Sequence, residues 1–290
     1  MSDHFTGRWL VTEYAHDDTG TFLGTVQQTR TLSELDNGRV RVLQTCVLSP
    51  SLMKHPTMGA FAGEWVFEMS RDDNLRHYHG VDVVGMGRTL DAQTIVGMGR
   101  WTRFGHDFVS FGALVTPQRQ LTGGVFYDND PQTGLVARIV GVAIAETHAN
   151  AGKWASLKFG FAPDSTSTTW RGTWTHYAID GMVMAQATLE RRYHDARTYE
   201  EAFLLPTERR YILRWQALTG NMYALMREEA GQSAPCGVAY AYDYFARVCL
   251  EGDDGGTRYE MLDDETRCLL GVVYRQDGDY EVYRLFPDES

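Results

Sequence analysis

The chain has 290 residues, of which 43% are hydrophobic and 22% charged, and its formal net charge is −11. This composition is typical of a globular protein, and the negative charge argues against binding to nucleic acid or to an anionic membrane surface. Because the sequence shows no apolar run of about twenty residues, no secretory signal, no nucleotide-binding motif and no clustered cysteines, we expect a cytoplasmic protein with reduced thiols, no metal site and no cofactor.

Strand-like segments follow one another through the first half of the chain, separated by turns rich in Gly, Asp, Asn and Pro. The predicted strands are 7–14, 21–35, 39–45, 64–69, 75–88, 94–103, 108–115, 123–127 and 135–145, with 154–161 as a tenth strand or a connector. The glycines inside 75–88 and 94–103 indicate bulges or sharp bends, which a sheet needs in order to close into a barrel.

The run 163–169 is the most linker-like segment of the chain, and we place a domain boundary between residues 162 and 163. Extended segments then recur at 172–178, 182–193, 209–218, 222–227, 237–250, 258–262, 269–275 and 280–286. Residues 198–205 are compatible with one short helix that has Thr198 as its N-cap, and 209–227 also fits a helix.

The fold class predicted from these elements is all-β, with two tandem antiparallel up-and-down β-barrels over residues 1–162 and 163–290. A propeller is the alternative, but it needs four strands in each blade and the intervals here hold about three.

An aromatic residue, a glycine and a tryptophan recur with one spacing at Phe5–Trp9, Phe61–Trp65 and Trp170–Trp174. Each copy leads into an extended segment and an acidic turn. We interpret each copy as the start of a strand that is followed by a chain reversal.

A Gly-x-Trp motif at the start of the first strand of an antiparallel barrel resembles the lipocalin or calycin superfamily. In that superfamily the Trp plugs the closed end of the barrel, and an Arg of the last strand lies across it, which is a favourable guanidinium–indole contact. The resemblance implies a structural role for Gly7, Trp9 and Arg138 in the first half, and for Gly172, Trp174 and Arg284 in the second. Cytosolic proteins of this appearance include phenolic-acid decarboxylases, hydratases, cyclases and bilin lyases, whose own motifs are not carried over here.

The densest polar stretch of a predicted strand is 76–82, where His77 and His79 share one face and Tyr78 lies on the other. If the histidine face lines the barrel, the two imidazoles can transfer protons near neutral pH. We therefore name His77, His79, Tyr78 and Arg100 as candidate catalytic residues, the last two to orient a substrate. The alternatives are histidines that face solvent or form a structural hydrogen-bond network, and a metal or haem site without an identifiable third ligand.

Candidate ligand-binding residues are aromatic, imidazole and methionine side chains near predicted strand ends or between glycines. They are Trp65, Trp101, His106, Met86, Met98 and Tyr242. The alternatives are a solvated hairpin end, methionines that fill the core, and an exposed row of tyrosines.

We expect a cofactor-independent enzyme, a lyase, isomerase, hydratase or cyclase, that acts by acid/base chemistry on a hydrophobic or aromatic small molecule inside a barrel. A non-catalytic carrier of the same kind of ligand and a structural protein with filled barrels are the alternatives. A homodimer is compatible with the sequence if the barrels are open, because long edge strands tend to pair.

Overall fold

The computed structural model describes residues 5–129, 134–148, 169–195, 198–204, 209–220, 222–241, 246–251, 256–263, 267–275 and 278–288. Over these residues the chain divides into two compact units, and each unit is a closed barrel of ten antiparallel strands. Every strand pairs with its neighbours in sequence and the first strand pairs with the last, which confirms the predicted all-β fold of two up-and-down barrels. The predicted boundary between residues 162 and 163 lies outside the described residues and stays a prediction.

The N-terminal barrel has strands β1–β10, with a short α-helix and a 3-10 helix between β3 and β4. The elements are β1 (Gly7–His16), β2 (Phe22–Glu34), β3 (Val40–Leu48), α1 (Pro50–Met53), the 3-10 helix (Met58–Phe61), β4 (Gly63–Asp72), β5 (Leu75–His79), β6 (Val83–Asp91), β7 (Thr94–Trp101), β8 (His106–Thr116), β9 (Arg119–Tyr127) and β10 (Leu135–Ala145). The single strand predicted at 75–88 is wrong, because β5 and β6 pair with each other across a turn at 80–82. The predicted segment 154–161 lies outside the described residues.

The C-terminal barrel has strands β11–β20. They are β11 (Thr169–Tyr177), β12 (Val183–Asp195), β13 (Thr198–Leu204), β14 (Arg209–Ala217), β15 (Met222–Glu229), β16 (Gln232–Ala241), β17 (Ala246–Leu250), β18 (Gly256–Asp263), β19 (Cys268–Arg275) and β20 (Tyr280–Pro287). The helix considered at 198–205 is wrong: β13 forms backbone ladders with β12 and β14, and Tyr199 and Glu201 are buried on one of its faces. The segment predicted at 237–250 is also two strands, β16 and β17.

Two copies of the repeated motif share one local structure, in which the indole N–H donates a hydrogen bond to the backbone just before the strand. Trp9 Nε1 donates to the Phe5 carbonyl at 2.9 Å, and Trp65 Nε1 donates to the Phe61 carbonyl at 3.0 Å. The intervening glycines have φ of +116° and +113°, a region that favours glycine. Because β1 and β4 run in opposite directions, these two copies place buried aromatic residues at opposite ends of the N-terminal barrel.

The third copy has a different structure. Trp174 Nε1 donates to the Glu281 carboxylate at 3.0 Å. Gly172 does not have positive φ; a Cβ there would collide with the carbonyl oxygen of Arg284 on the paired strand. Glycine is therefore required at this position by the close approach of two strands, and the shared spacing of the third copy does not reflect a shared turn.

The predicted arginine partners of the first and third motif copies are wrong. Arg138 lies opposite His16, at the far end of β1 from Trp9, and donates to the Asp17 carbonyl at 3.3 Å. Arg284 alternates with inward-facing residues of β20 and so lies on the other face from Trp174. A guanidinium does stack on an indole in the second copy, where Arg103 lies 3.9 Å from the centre of the Trp65 ring.

Candidate functional site

The N-terminal barrel contains an internal cavity of about 150 Å³ between its two aromatic ends. Most of its wall is apolar, and its polar lining side chains include Glu13, Gln28, Arg30, Gln44, Arg76 and Tyr78. A cavity of roughly this volume accommodates a molecule the size of benzene. The interior is therefore large enough for a single-ring ligand that meets a few polar groups.

Glycines on adjacent strands form part of the cavity wall, among them Gly97 and Gly124. Gly97 lies opposite Gly87 on one side and Ser110 on the other, and Ser110 lies opposite Gly124. A Cβ at Gly97 would lie 2.9 Å from Tyr78 Oη and 3.2 Å from Ser110 Oγ. The strand register continues unbroken past Gly87 and Gly97, so these two glycines do not mark bulges, whereas Gly80 lies in the turn between β5 and β6. Gly87 and Gly97 accommodate the Tyr78 ring.

Glu13 is the buried carboxyl group of this cavity. It faces inward from β1, is 1% exposed, and accepts hydrogen bonds from Gln28 Nε2 and, at 3.4 Å, from Thr122 Oγ1. Arg30 lies 3.9 Å from the carboxylate and donates to Gln28 Oε1 at 3.0 Å. Burial raises the pKa of Glu13, and the charge of Arg30 and the Thr122 hydrogen bond offset only part of that effect. The carboxyl is thus more readily protonated than an exposed glutamate, as suits a group that exchanges protons.

One end of the cavity is covered by packed aromatic rings. Phe61 and Trp101 line the cavity, with ring centres 5.3 Å apart and edge-on, and Trp65 packs edge-on against Trp101 at 5.0 Å. The Arg103 guanidinium covers the outer side of Trp65 and donates to the Glu64 carbonyl. Of the predicted ligand-binding residues, Trp101 therefore lines the cavity and Trp65 packs behind it.

His77 and His79 do not face the barrel interior, so the condition on which their candidate catalytic role depended is not met. Arg76 and Tyr78, which alternate with them along β5, line the cavity, so both imidazoles lie on the outer face. Their rings stack on each other with centres 6.1 Å apart, and His79 Nε2 lies 3.0 Å from Ser70 Oγ. Of the four candidate catalytic residues, only Tyr78 lines the cavity.

Arg100 and His106 lie at the hairpin that joins β7 and β8, and neither lines the cavity. Arg100 is bound at the surface, where it pairs with Asp107 at 3.0 Å and donates to the carbonyl of Gly105 at 2.7 Å. His106 Nδ1 lies 2.6 Å from an Asp128 carboxylate oxygen. These contacts stabilise the hairpin. They fit the alternative of a solvated hairpin end that the sequence also allowed.

Met86 and Met98 are cross-strand neighbours on the outer face, and Met86 is 45% exposed, so the predicted methionine pocket wall is wrong. Tyr242 lies outside the described residues. Within the part of the chain that the structure describes, no group of three or more His, Cys, Asp or Glu side chains is placed to hold a metal ion.

Sequence reasoning missed Glu13, although a signal was present. Trp9 starts β1 and faces inward, and alternation puts Glu13, four residues later, on the same face. A charged residue between Val11 and Ala15 on an otherwise apolar face indicates a buried polar group with a specific role.

The C-terminal barrel holds a buried network of two arginines and two glutamates. Arg191 donates to Glu201 at 2.9 Å and to Glu260 at 2.5 Å, and Arg258 donates to the same two carboxylates at 3.2 and 3.3 Å. Tyr211 Oη donates to Glu201 at 2.6 Å. Although burial alone raises the pKa of Glu201, Arg191 and Arg258 lower it to about 2. The network is neutral overall, as buried charges require.

The two barrels are expected to respond to acid in opposite directions. The folded pKa of Glu201 lies below its ordinary value of 4.5, so its stabilisation of the C-terminal barrel is present above that pH. It is lost as the pH falls toward about 2, at a cost of roughly 3 kcal/mol. The folded pKa of Glu13 is raised, so its protonation as the pH falls stabilises the N-terminal barrel.

Urea unfolding at a series of pH values tests this difference. Glu201→Gln is expected to flatten the acid dependence of the C-terminal transition, whereas Glu200→Gln, on the opposite face of β13 and paired with Arg210 at 3.0 Å, is expected to retain it. A wild-type C-terminal transition with a constant midpoint between about pH 5 and pH 2.5 would contradict the assigned role of Glu201.

Comparisons with known proteins add information on the fold. No family model matches the chain, and no curated protein matches it. A protein of unknown function from the DUF3598 family of Nostoc punctiforme PCC 73102 has a similar structure, with 12% identity and a TM-score of 0.56 over 99% of this chain and 100% of that one. An S-type phycobiliprotein lyase from Guillardia theta matches with 8% identity and a TM-score of 0.37 over 49% of this chain and 89% of its own. The first likeness supports the fold along the whole chain and does not extend to chemistry.

Proposed function

We propose that the N-terminal barrel binds a small, single-ring organic molecule in its interior and that Glu13 recognises the polar group of that molecule. The observation that carries the proposal is the coincidence of a cavity of about 150 Å³ with a carboxyl group that is 1% exposed. Burying a carboxyl group costs free energy unless a ligand or the protein satisfies its hydrogen bonds. The apolar wall would hold the ring, and Glu13 would accept a hydrogen bond from a hydroxyl or amine.

The geometry also favours one catalytic version of this function. In it, Glu13 replaces the histidines as the acid/base group, and Tyr78 and Arg30, which line the same cavity, orient the substrate. The raised pKa of Glu13 supports this version, because a general base works best when its pKa approaches the pH of the reaction. Such an enzyme would be a lyase or an isomerase that moves a proton, whereas a carrier would bind the same molecule and release it unchanged.

Matched probes test the binding role of Glu13. Phenol and toluene have similar size, and only phenol can donate a hydrogen bond. In Glu13→Gln, which removes the charged acceptor, we expect the affinity for phenol to fall about tenfold and that for toluene to change less than about twofold, as measured by isothermal titration calorimetry.

Glu68→Gln, on the outer surface beside Arg39, is the control and is expected to bind both probes like the wild type. Failure of phenol to bind the wild-type protein, or an equal loss of both probes in Glu13→Gln, would refute the proposal. Once a natural ligand is known, turnover that disappears in Glu13→Gln while binding persists would identify an enzyme and not a carrier.

A further inference from the structure

The C-terminal barrel has a cavity of its own, with a volume of about 270 Å³ and a different chemical character. It lies toward the end of the barrel at which β11 ends and β20 begins, while Trp170, Tyr193 and Tyr199 are packed at the other end. Its wall includes the side chains Trp174, Tyr211, Arg227, Arg258, Arg275 and Glu281. Three guanidinium groups therefore border one partly aromatic cavity.

Two of these arginines are bound to buried carboxylates. Arg258 is 4% exposed and binds Glu201 and Glu260, yet its Nε is buried without a hydrogen-bond acceptor among the described residues. Arg275 binds Glu281 at 2.8 Å, and that carboxylate also accepts from Trp174. Arg258 thus lines the cavity and carries a buried N–H donor without an acceptor, and Glu281 is already engaged twice.

Arg227 is the arginine best placed to bind a ligand. Its guanidinium lies 4.3 Å from the centre of the Tyr211 ring, which fixes its plane. One carboxylate that it meets is that of Glu229, two residues along the same strand at 2.8 Å, and the Glu229 side chain is 42% exposed. The Arg227 side chain is 18% exposed, so the guanidinium lies mostly inside the barrel, whereas the carboxylate that it meets is open to water. A ligand anion inside the cavity can therefore compete with Glu229 for this guanidinium. Besides Glu281, the carboxylate that lines the cavity among the described residues is that of Glu251, which is exposed.

From this arrangement we infer that the C-terminal barrel binds a small organic anion, a molecule with an aromatic ring and a carboxylate. The carboxylate binds Arg227, for which the planar guanidinium supplies two parallel donors. The ring packs against Trp174 and Tyr211, and Arg258, which also lines the cavity, has an N–H donor to offer. This site is independent of the cavity proposed for the N-terminal barrel.

Benzoate and benzyl alcohol are suitable probes, because they share a ring and differ in charge. We expect benzoate to bind the full-length protein saturably and at least about tenfold more tightly than benzyl alcohol, as measured by calorimetry. Arg227→Gln is expected to weaken benzoate binding about tenfold. Arg214→Gln removes an arginine that pairs with Glu228 at 3.2 Å and does not line the cavity, so it is expected to leave benzoate binding unchanged.

Gly97→Val shows which barrel binds benzoate, because it fills the N-terminal cavity and leaves the C-terminal cavity intact. Benzoate binding that survives Gly97→Val and is lost in Arg227→Gln supports the inference. Equal affinity for both probes, no saturable binding of benzoate, or benzoate binding that Gly97→Val abolishes would each overturn it.

Discussion

Replacing Arg191 by methionine is expected to lower the free energy of unfolding of the C-terminal barrel by about 3–5 kcal/mol. Arg191 is 0% exposed and binds both Glu201 and Glu260. Its loss leaves two buried carboxylates with Arg258 as their one cationic partner in the described network. Urea unfolding followed by tryptophan fluorescence reports the change, since the C-terminal barrel contains Trp170, Trp174 and Trp215.

Two further variants distinguish the buried network from ordinary ion pairs. Arg171→Met breaks a pair with Glu190 in which the arginine side chain is 52% exposed, and it is expected to cost less than about 1 kcal/mol. Arg191→Met combined with Glu260→Met removes one charge of each sign, and we expect it to recover most of the loss because Arg258 and Glu201 remain paired. If Arg191→Met costs no more than Arg171→Met, the network does not stabilise the barrel as inferred.

Filling the N-terminal cavity at Gly97 is expected to abolish binding of single-ring molecules. The Cβ of a valine there would lie 2.9 Å from Tyr78 Oη and 3.2 Å from Ser110 Oγ, and its branched carbon atoms need space beyond that. The ligand loses its volume, and affinity for toluene or phenol is expected to fall more than about a hundredfold, with a stability cost of about 1–3 kcal/mol. Calorimetry with both probes measures the first effect, and urea unfolding measures the second.

Met98→Leu is the control for this variant, because Met98 neighbours Gly97 on β7 but lies on the outer face, opposite Met86. It is expected to bind both probes like the wild type, and Gly97→Ala is expected to give an intermediate loss. Wild-type affinity in a folded Gly97→Val protein would show that the ligand lies elsewhere. If Gly97→Val does not fold, Gly97→Ala becomes the deciding variant. Wild-type affinity of Gly97→Ala for both probes would then contradict the proposed site.

The sequence by itself determined the class of fold and most of its strands. Alternation with period two is a local property, and it indicated the strands from β1 to β20 except that β5 and β6, and β16 and β17, were each predicted as one strand and β13 was considered a helix. The motif at Trp9 and Trp65 is also local, since each indole bonds a carbonyl four residues earlier and each glycine has positive φ. Such features depend on neighbours in the chain and can be recognised without a structure.

Only the tertiary structure decided which face of each strand is inside. Alternation placed His77 with His79 and Arg76 with Tyr78, but both assignments fit the sequence equally, and closure of the barrel selected the second. Alternation along β1 puts Glu13 on the face of Trp9, but only the tertiary structure shows that Gln28, Thr122 and Arg30 lie beside it.

The pairing of Arg191 with Glu260, 69 residues away, likewise cannot be predicted from local sequence patterns. Burial and partner choice are set by contacts between residues that are distant in the chain, and these contacts fix the protonation and the stability of the interior. For that reason the strands of this protein can be predicted from local patterns, whereas its two cavities and its buried charges emerge only from the closed barrels.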